Sequence, residues 1–288
     1  MEKLPFVTIC IPTYNRVSNL ENIFNSIKEY DYPNLKIIIS DDCSIDNTSI
    51  LCSEFADKNE NVTYYKQDIN LGAFNNFNFL LSKVDTKYYI LHSDDDYLDK
   101  NFISESVKFL ELNSDYVIAG GVSSYEYELN GNKIKRNGKY FSIVSNNLFF
   151  RLIKYVFYNS DNYHIFGVKR TPKNIIYFPV LIPGEWVYMT NFLKNGKFHV
   201  IPNVKIYRSF GNNASMTLIG ALKSIKNTPS NAIIKFIVLY YPWLYVSYNF
   251  ARSVKPGNLF SFIFWFLFMQ IKKSYELAGA LYIYLNAK

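Results

Sequence analysis

The chain is short of the residues that usually bind a structural metal or staple a fold. Its 288 residues include three cysteines, Cys10, Cys43 and Cys52. None forms a CxxC pair and no nearby histidine completes zinc spacing, which argues against a zinc site. The odd count, with Cys10 in an apolar strand-like run, points to reduced thiols in a reducing compartment. Neither GxGxxG nor GxxxxGK[ST] occurs, so phosphates are not expected on a glycine-rich loop. The N-terminal apolar stretch is too short and too broken by proline to be a signal peptide, and the N-terminal half is expected in the cytoplasm. Acidic residues are scarce in the second half. Residues 121–288 carry five Asp/Glu against 21 Lys/Arg, whereas residues 1–120 carry 19 against 10. A basic C-terminal half suits an anionic partner, whether phosphates, an anionic membrane surface or nucleic acid, unless it is an ordinary solvated face.

What is present is a regular alternation. FVTICI at 6–11 reads as a buried strand closed by Pro12, and LKIII at 35–39 as a second. Val62–Lys66, Tyr88–Leu91 and Tyr116–Ala119 supply three more. Between them, apolar residues recur at helical spacing: Val17, Leu20, Ile23, Phe24 and Ile27 behind a Ser18–Glu21 capping box, then Asn47–Asn59, Ala73–Val84 and Phe102–Leu112. Near-continuous apolar strands alternating with helices predict an α/β fold, a mostly parallel sheet covered on both faces. In such a sheet ligands bind outside the carboxyl ends of the strands.

Beyond residue 120 the pattern loosens. Gly131–Gly138 reads as a polar hairpin or loop, and Leu148–Phe157 as an amphipathic helix. Phe236–Ala251 and Pro256–Ile271 are uncharged, aromatic-rich stretches of 16 residues flanked by lysine and arginine. A spanning helix needs ~20 apolar residues. Helices lying in a membrane interface over anionic lipid fit these stretches; a buried helical pair or a re-entrant hairpin are the alternatives. The resulting division is 1–120, 121–221 and a membrane-associating 222–288.

Three polar clusters fall just after predicted strands: Pro12-Thr13-Tyr14-Asn15-Arg16, Ser40–Thr48 with Asp41 and Asp42, and Ser93-Asp94-Asp95-Asp96. Consecutive carboxylates at a strand end suit an acidic surface turn or the oxygen ligands of Mg2+ or Mn2+, which take one or two carboxylates plus substrate phosphates.

With these motifs in this order, residues ~5–120 resemble the inverting GT-A glycosyltransferases of family 2. VTICIPTYNR, IIISDDCSIDNT, NLGAFNN and YYILHSDDDYL carry the resemblance. It implies a Rossmann-like GT-A sheet and a nucleotide-diphosphate sugar donor. Pro12, Thr13, Tyr14 and Arg16 would line the nucleotide pocket, Asp41 or Asp42 would contact the base, and Asn70 and Gly72 would shape the loop beneath it. Asp94, Asp95 and Asp96 would hold ribose, metal and diphosphate, with Asp94 and Asp96 as the pair on Mn2+ or Mg2+. His92 stands where the family often has a further aspartate. Asn76-Phe77-Asn78 stands where the family commonly has an arginine-containing triplet, which puts one phosphate contact in doubt.

The segment IPGEWVYMTNFLKNGKFHVIPNVKIYR resembles the family's catalytic-carboxylate region. It implies Glu185 as general base, with a structural salt bridge, or Asp161 as base, the alternatives. Arg208 would meet the donor diphosphate, or be a surface arginine. His164 and His199 have no partners at metal or triad spacing and read as structural or acceptor-groove residues. The implied activity is sugar transfer to a hydroxyl of a lipid-linked saccharide, in bacterial surface polysaccharide assembly at the cytoplasmic face of the cell membrane. The absence of Gln-x-x-Arg-Trp and of long spans argues against a processive synthase. A non-catalytic membrane-bound nucleotide-sugar scaffold is the competing reading. Nucleic-acid binding is not expected, because no known module is present.

Overall fold

The computed structural model describes residues 4–129, 132–158, 163–180 and 184–209, together with Ile263, Phe264 and Leu267. The first half follows the predicted alternation: β1 (Val7–Thr13), α1 (Val17–Lys28), β2 (Leu35–Asp41), α2 (Thr48–Asp57), β3 (Val62–Lys66), α3 (Ala73–Ser82) and β4 (Tyr88–Leu91). β5 (Tyr97–Leu98), α4 (Phe102–Leu112), β6 (Tyr116–Leu129), β7 (Asn132–Asn137), α5 (Leu148–Tyr158), β8 (Val168–Arg170), α6 (Gly184–Asn195) and β9 (Lys197–Ser209) follow.

The nine strands of the described residues share one sheet. Its order is β3-β2-β1-β4-β8-β6-β9-β5, with β7 paired to β6. The β3-β2-β1-β4 portion is parallel. Its middle strands are buried along their length, which is why they read as apolar runs. The rest of the sheet is mixed, which corrects the expectation of a mostly parallel one. β8 lies antiparallel between β4 and β6, and β5 antiparallel to β9, while β6 and β9 run parallel. β8 and β5 are three and two residues long, too short to leave a period in the sequence. β6 runs ten residues past Ala119 and turns back through β7, as a hairpin there requires.

Two local expectations are also revised. Pro12 does not close β1; the strand continues through it to Thr13. The Cys10 carbonyl accepts from His92 N–H, and the Thr13 carbonyl from Asp42 N–H. Pro12 therefore faces the β4 side beyond Leu91, where that strand has ended, and its missing N–H removes no ladder bond. Nor does Ser18 cap α1. The helix starts at Val17, and Ser18 sits in the first turn, donating to Asn19 Oδ1. The backbone N–H of Arg16 donates instead to Thr48 Oγ1 at 2.9 Å. This ties the start of α1 to the start of α2 and brings the first two strand-end clusters together.

Among the described residues no helix is long and apolar enough to cross a membrane. Asp161 and nearly all of 222–288, where the two aromatic stretches lie, fall outside the described residues.

Candidate active site

The loop after β2 is built around two aspartates that point different ways. Asp41 is fully buried. One of its oxygens accepts from the Ser44 N–H at 2.9 Å and from the Ser44 hydroxyl, the other from the Tyr64 hydroxyl at 3.1 Å. Asp42 reaches across to the loop before α3 and accepts from the N–H groups of Leu71, at 2.5 Å, and Gly72, at 2.9 Å. Gly72 has φ 84°, a left-handed conformation that a β-carbon would strain. The turn that follows the two aspartates uses Cys43 at φ 65°. Asn15 is also left-handed, at φ 52°. Its N–H donates to Ser44 Oγ at 2.9 Å, and its side-chain oxygen accepts from the Ile45 N–H at 3.0 Å. The first two clusters thus form one hydrogen-bonded body, leaving Tyr14 exposed at its rim.

The aspartate triplet closes against that body. The Thr13 hydroxyl donates to Asp94 Oδ2 at 2.9 Å. The Arg16 guanidinium lies 4.0 Å from Asp94 and 3.9 Å from Asp95. Asp95 also accepts from the Ser93 hydroxyl. Asp96 turns the opposite way, to Arg208 Nε at 3.4 Å on β9, and the Arg208 guanidinium sits 5.0 Å above the Phe166 ring. Burial, followed by the neighbouring Asp95, pushes the Asp94 carboxyl up to about 6, against the opposing pull of Thr13 and Arg16. His92 is not part of the acidic cluster. It is buried, its Nδ1 is 2.7 Å from the Ser93 carbonyl and its Nε2 is 2.8 Å from the Tyr30 hydroxyl. Burial lowers it to about 4. A neutral ring donating through Nδ1 and accepting through Nε2 satisfies both contacts.

Glu185 occupies the first turn of α6. Burial raises its carboxyl above the ordinary range, with Tyr155 among the groups that feel its charge. The start of α6 is packed onto α3. A β-carbon on Gly184 would fall 2.5 Å from the Pro179 carbonyl and 3.4 Å from the Phe74 ring. This puts Glu185 at the same end of α3 as the Asn70–Gly72 loop that Asp42 holds. Further along α6, the Tyr188 hydroxyl meets that of Tyr89 on β4 at 2.8 Å, and the Tyr188 ring stacks on Phe178 at 3.9 Å.

The Asn76-Phe77-Asn78 triplet is used internally. The Asn76 side chain donates to the Ser40 carbonyl at 3.0 Å and accepts from the Ser40 hydroxyl at 2.5 Å. Asn78 donates to the Phe178 carbonyl at 2.8 Å and accepts from the Phe178 N–H at 2.7 Å. His164 is buried among Phe141, Tyr155 and Phe198, and the half-buried His199 stacks on Phe109 at 4.0 Å. Sequence reasoning did not single out Ser44, Thr48, Tyr64 or Asn78, which position the predicted residues. Their signal was only polarity beside a motif.

Among the described residues no three His, Cys, Asp or Glu side chains converge as a protein-only metal cage. A Mg2+ or Mn2+ that draws most of its ligands from water and a diphosphate needs only one or two carboxylates; Asp94 and Asp96 have oxygen donors of that kind, here turned to Thr13 and Arg208.

The profile of the glycosyl transferase family 2 matches residues 8–174. The GalNAc(5)-diNAcBac-PP-undecaprenol beta-1,3-glucosyltransferase of Campylobacter jejuni is 30% identical over 96 residues, covering 33% of this chain and 31% of that protein. The chain spans roughly a third of the length of that relative and of others it matches. S. aureus TarS residues 1–349 in complex with UDP-GlcNAc superposes with a TM-score of 0.55 at 19% identity, over 88% of this chain and 76% of that one. The mannosyltransferase PcManGT of Pyrobaculum calidifontis, with GDP-Man and Mn2+, gives 0.56 at 14% identity, over 100% and 89%.

Proposed function

The chain belongs to glycosyl transferase family 2 and has the GT-A fold, and from that membership we propose that it moves a sugar, with inversion, from a nucleotide-diphosphate donor to a saccharide hydroxyl. The observation that carries this reading is the convergence of three strand-end clusters: Thr13 on Asp94, Arg16 beside Asp94 and Asp95, and Asp42 on the Leu71–Gly72 loop.

Each residue then has a task. Pro12 and the exposed Tyr14 bound the nucleotide pocket with Asn70 and Gly72. Asp41 is held by Ser44 and Tyr64 and Asp42 by the Leu71 and Gly72 N–H groups, so one of the two, with the backbone around them, would make the base contact. Arg16 and Arg208 meet the diphosphate. Asp94 and Asp96 would hold Mg2+ or Mn2+, whose positive charge, when bound, favours departure of the diphosphate. Glu185 takes the proton of the acceptor hydroxyl as its oxygen bonds to the anomeric carbon and the carbon–diphosphate bond breaks. Burial favours the protonated form of Glu185, which makes it a stronger base when ionised.

The acceptor is proposed to be a lipid-linked saccharide of bacterial surface polysaccharide assembly, handled at the cytoplasmic face of the cell membrane. The undecaprenol-linked substrate in the name of the Campylobacter relative supports this, as does the basic second half of the chain.

A thermal-shift screen of nucleotide sugars with and without Mn2+ tests donor binding. A donor at about 100 times its Kd adds about 2.7 kcal/mol. Asp94→Asn is expected to lose metal-dependent donor stabilisation. Glu185→Gln is expected to bind donor and fail to transfer. In wild type, transfer should rise with pH through a midpoint above the ordinary glutamate range. Transfer retained in both variants would sink the assignments. A wild type that binds donor but never transfers or hydrolyses it would make the protein a scaffold.

A further inference from the structure

The outer face of α5 belongs neither to the core nor to the site. The helix LFFRLIKYVFY turns Leu152, Tyr155 and Val156 inward. Arg151 is also turned in. Its guanidinium donates to the carbonyls of Leu193 and Lys194, capping the end of α6, and to those of Ser145 and Asn146 just before α5. At a rotation of about 100° per residue, Phe150 and Phe157 fall on the opposite side, with Phe149 at its edge and Ile153 partly buried against the core. Phe149 is 39% exposed, Phe150 59% and Phe157 45%. A helix apolar on nearly every side is ordinarily buried; this one shows half of itself to the surroundings.

A second helical piece repeats the pattern beside it. Ile263, Phe264 and Leu267, spaced to share one helix face, are 42%, 39% and 55% exposed. The Phe264 ring lies 5.3 Å from that of Phe149. The two aromatic faces are therefore continuous. The charge around them has one sign. Residues 132–158 contain six Lys/Arg and no Asp/Glu. Lys154 is on α5 itself, and Lys139 and Tyr140 are exposed just before Phe141, whose ring packs on Tyr158 at the end of α5.

We propose that the outer face of α5, joined to the face of Ile263, Phe264 and Leu267, is the surface on which this protein docks to an anionic lipid bilayer. Exposed aromatic and aliphatic side chains enter the headgroup boundary, while flanking lysines meet lipid phosphates. A folded protein partner would require acidic groups complementary to this patch. A bilayer supplies apolar depth and negative charge together, and it does not ask the aromatic side chains to fit a shape. This rests on the membrane reading of the proposed function and extends it from the C-terminal stretches to an element inside the catalytic fold. By fixing α5, which caps α6 through Arg151, docking would also set how the Glu185 end of the site faces the membrane.

The test is flotation of the full chain with vesicles of neutral phosphatidylcholine alone and with added anionic phosphatidylglycerol. Wild type is expected to float with the anionic vesicles and to be released by salt. The Phe150→Ser/Phe157→Ser variant, folded by circular dichroism, is expected to partition at least about tenfold more weakly. Lys139→Gln/Lys154→Gln is expected to lose about fivefold per residue, only on anionic vesicles. If wild type ignores every vesicle, the membrane reading fails and this proposal with it. If wild type floats and the Phe150/Phe157 variant floats equally well, the membrane reading survives and the α5 surface is refuted. If the variant instead converts a dimer to a monomer without changing flotation, the face is a contact between copies and the proposal is overturned.

Discussion

Asn78 offers a direct perturbation of the scaffold that holds the proposed base. Its side-chain amide makes two bonds to one residue, donating to the Phe178 carbonyl at 2.8 Å and accepting from its N–H at 2.7 Å. This is the pairing an edge strand would make, supplied by a side chain. Phe178 is buried among Phe74, Phe77 and Tyr188, so its peptide groups cannot easily find water if Asn78 is removed. Two net hydrogen bonds at about 0.5–1.5 kcal/mol each, with part of the cost of stranding a buried N–H and C=O, give about 2–3 kcal/mol for Asn78→Ala. Asn78→Asp keeps the acceptor but turns a carboxylate oxygen toward the Phe178 carbonyl. It should cost at least as much at neutral pH and recover in acid as the carboxyl gains a proton to donate.

The effect on chemistry follows from Pro179. Its carbonyl is where a β-carbon on Gly184 would collide, so any shift of the Phe178–Pro179 strap is felt at the first turn of α6. The Thr13, Asp42 and Asp94 contacts lie on other elements. Asn78→Ala should therefore lower kcat by about 10–100-fold, the scale of a misplaced catalytic group, and leave donor KM nearly unchanged. Urea unfolding and steady-state kinetics at saturating donor read the two effects separately. An alanine variant within about 0.5 kcal/mol of wild type, with unaltered kcat, would refute the anchoring argument.

Two other predictions concern buried polar groups. The Lys169 ammonium is fully buried, donates to the Ile165 and Gly167 carbonyls, and is pushed by burial from 10.5 down to about 7. Between those values the unfolded chain holds the extra proton, so stability should rise with pH from about 7 to 8.5 by up to about 1.4 kcal/mol per unit. Comparing urea midpoints with Lys169→Met should isolate this slope; a wild-type-minus-variant difference that does not change with pH would dismiss it. Tyr188→Phe should cost about 1–2 kcal/mol by leaving the buried Tyr89 hydroxyl without its 2.8 Å partner. Adding Tyr89→Phe should restore part of that loss, and strictly additive costs in a double-mutant cycle would show the pair to be uncoupled.

The elements that were legible from the sequence are those whose burial writes a period. Val62–Lys66, Tyr88–Leu91 and Phe102–Leu112 occur with the expected bounds, because a strand or helix packed on a core must place its apolar residues regularly. β8 is three residues with a lysine and an arginine, and its burial of Lys169 depends on carbonyls contributed by the turn before it. No local pattern announces that. The same limit explains Pro12 and Ser18. Whether a proline breaks a strand depends on whether a neighbour still runs beside it, and whether a serine caps a helix depends on what else reaches the helix start. Asn76-Phe77-Asn78 stands where an arginine-containing triplet was expected, and only the distant Phe178 gives Asn78 a task.

The aspartates show how far a motif can be read and where geometry takes over. Sequence placed Asp41-Asp42 and Asp94-Asp95-Asp96 at strand ends and singled out Asp94 and Asp96 as the metal pair, but it left Asp41 and Asp42 undivided. At the end of β2, successive side chains point to opposite sides, which separates Asp41 from Asp42; at the triplet a bend at Asp94–Asp95 separates the charges instead. Asp41 goes inward to Ser44 and Tyr64, while Asp42 goes across to Leu71 and Gly72. Asp94 goes to Thr13, while Asp96 goes to Arg208. Asp94 and Asp95 share Arg16 only at about the limit of an ion pair, and Asp94 is raised to about 6. Burial is the main cause of that rise and the charge of Asp95 the second, with Thr13 and Arg16 pulling the other way. The proposed divalent cation, held by Asp94 and Asp96, would add positive charge to this cluster beside that of Arg16 and Arg208.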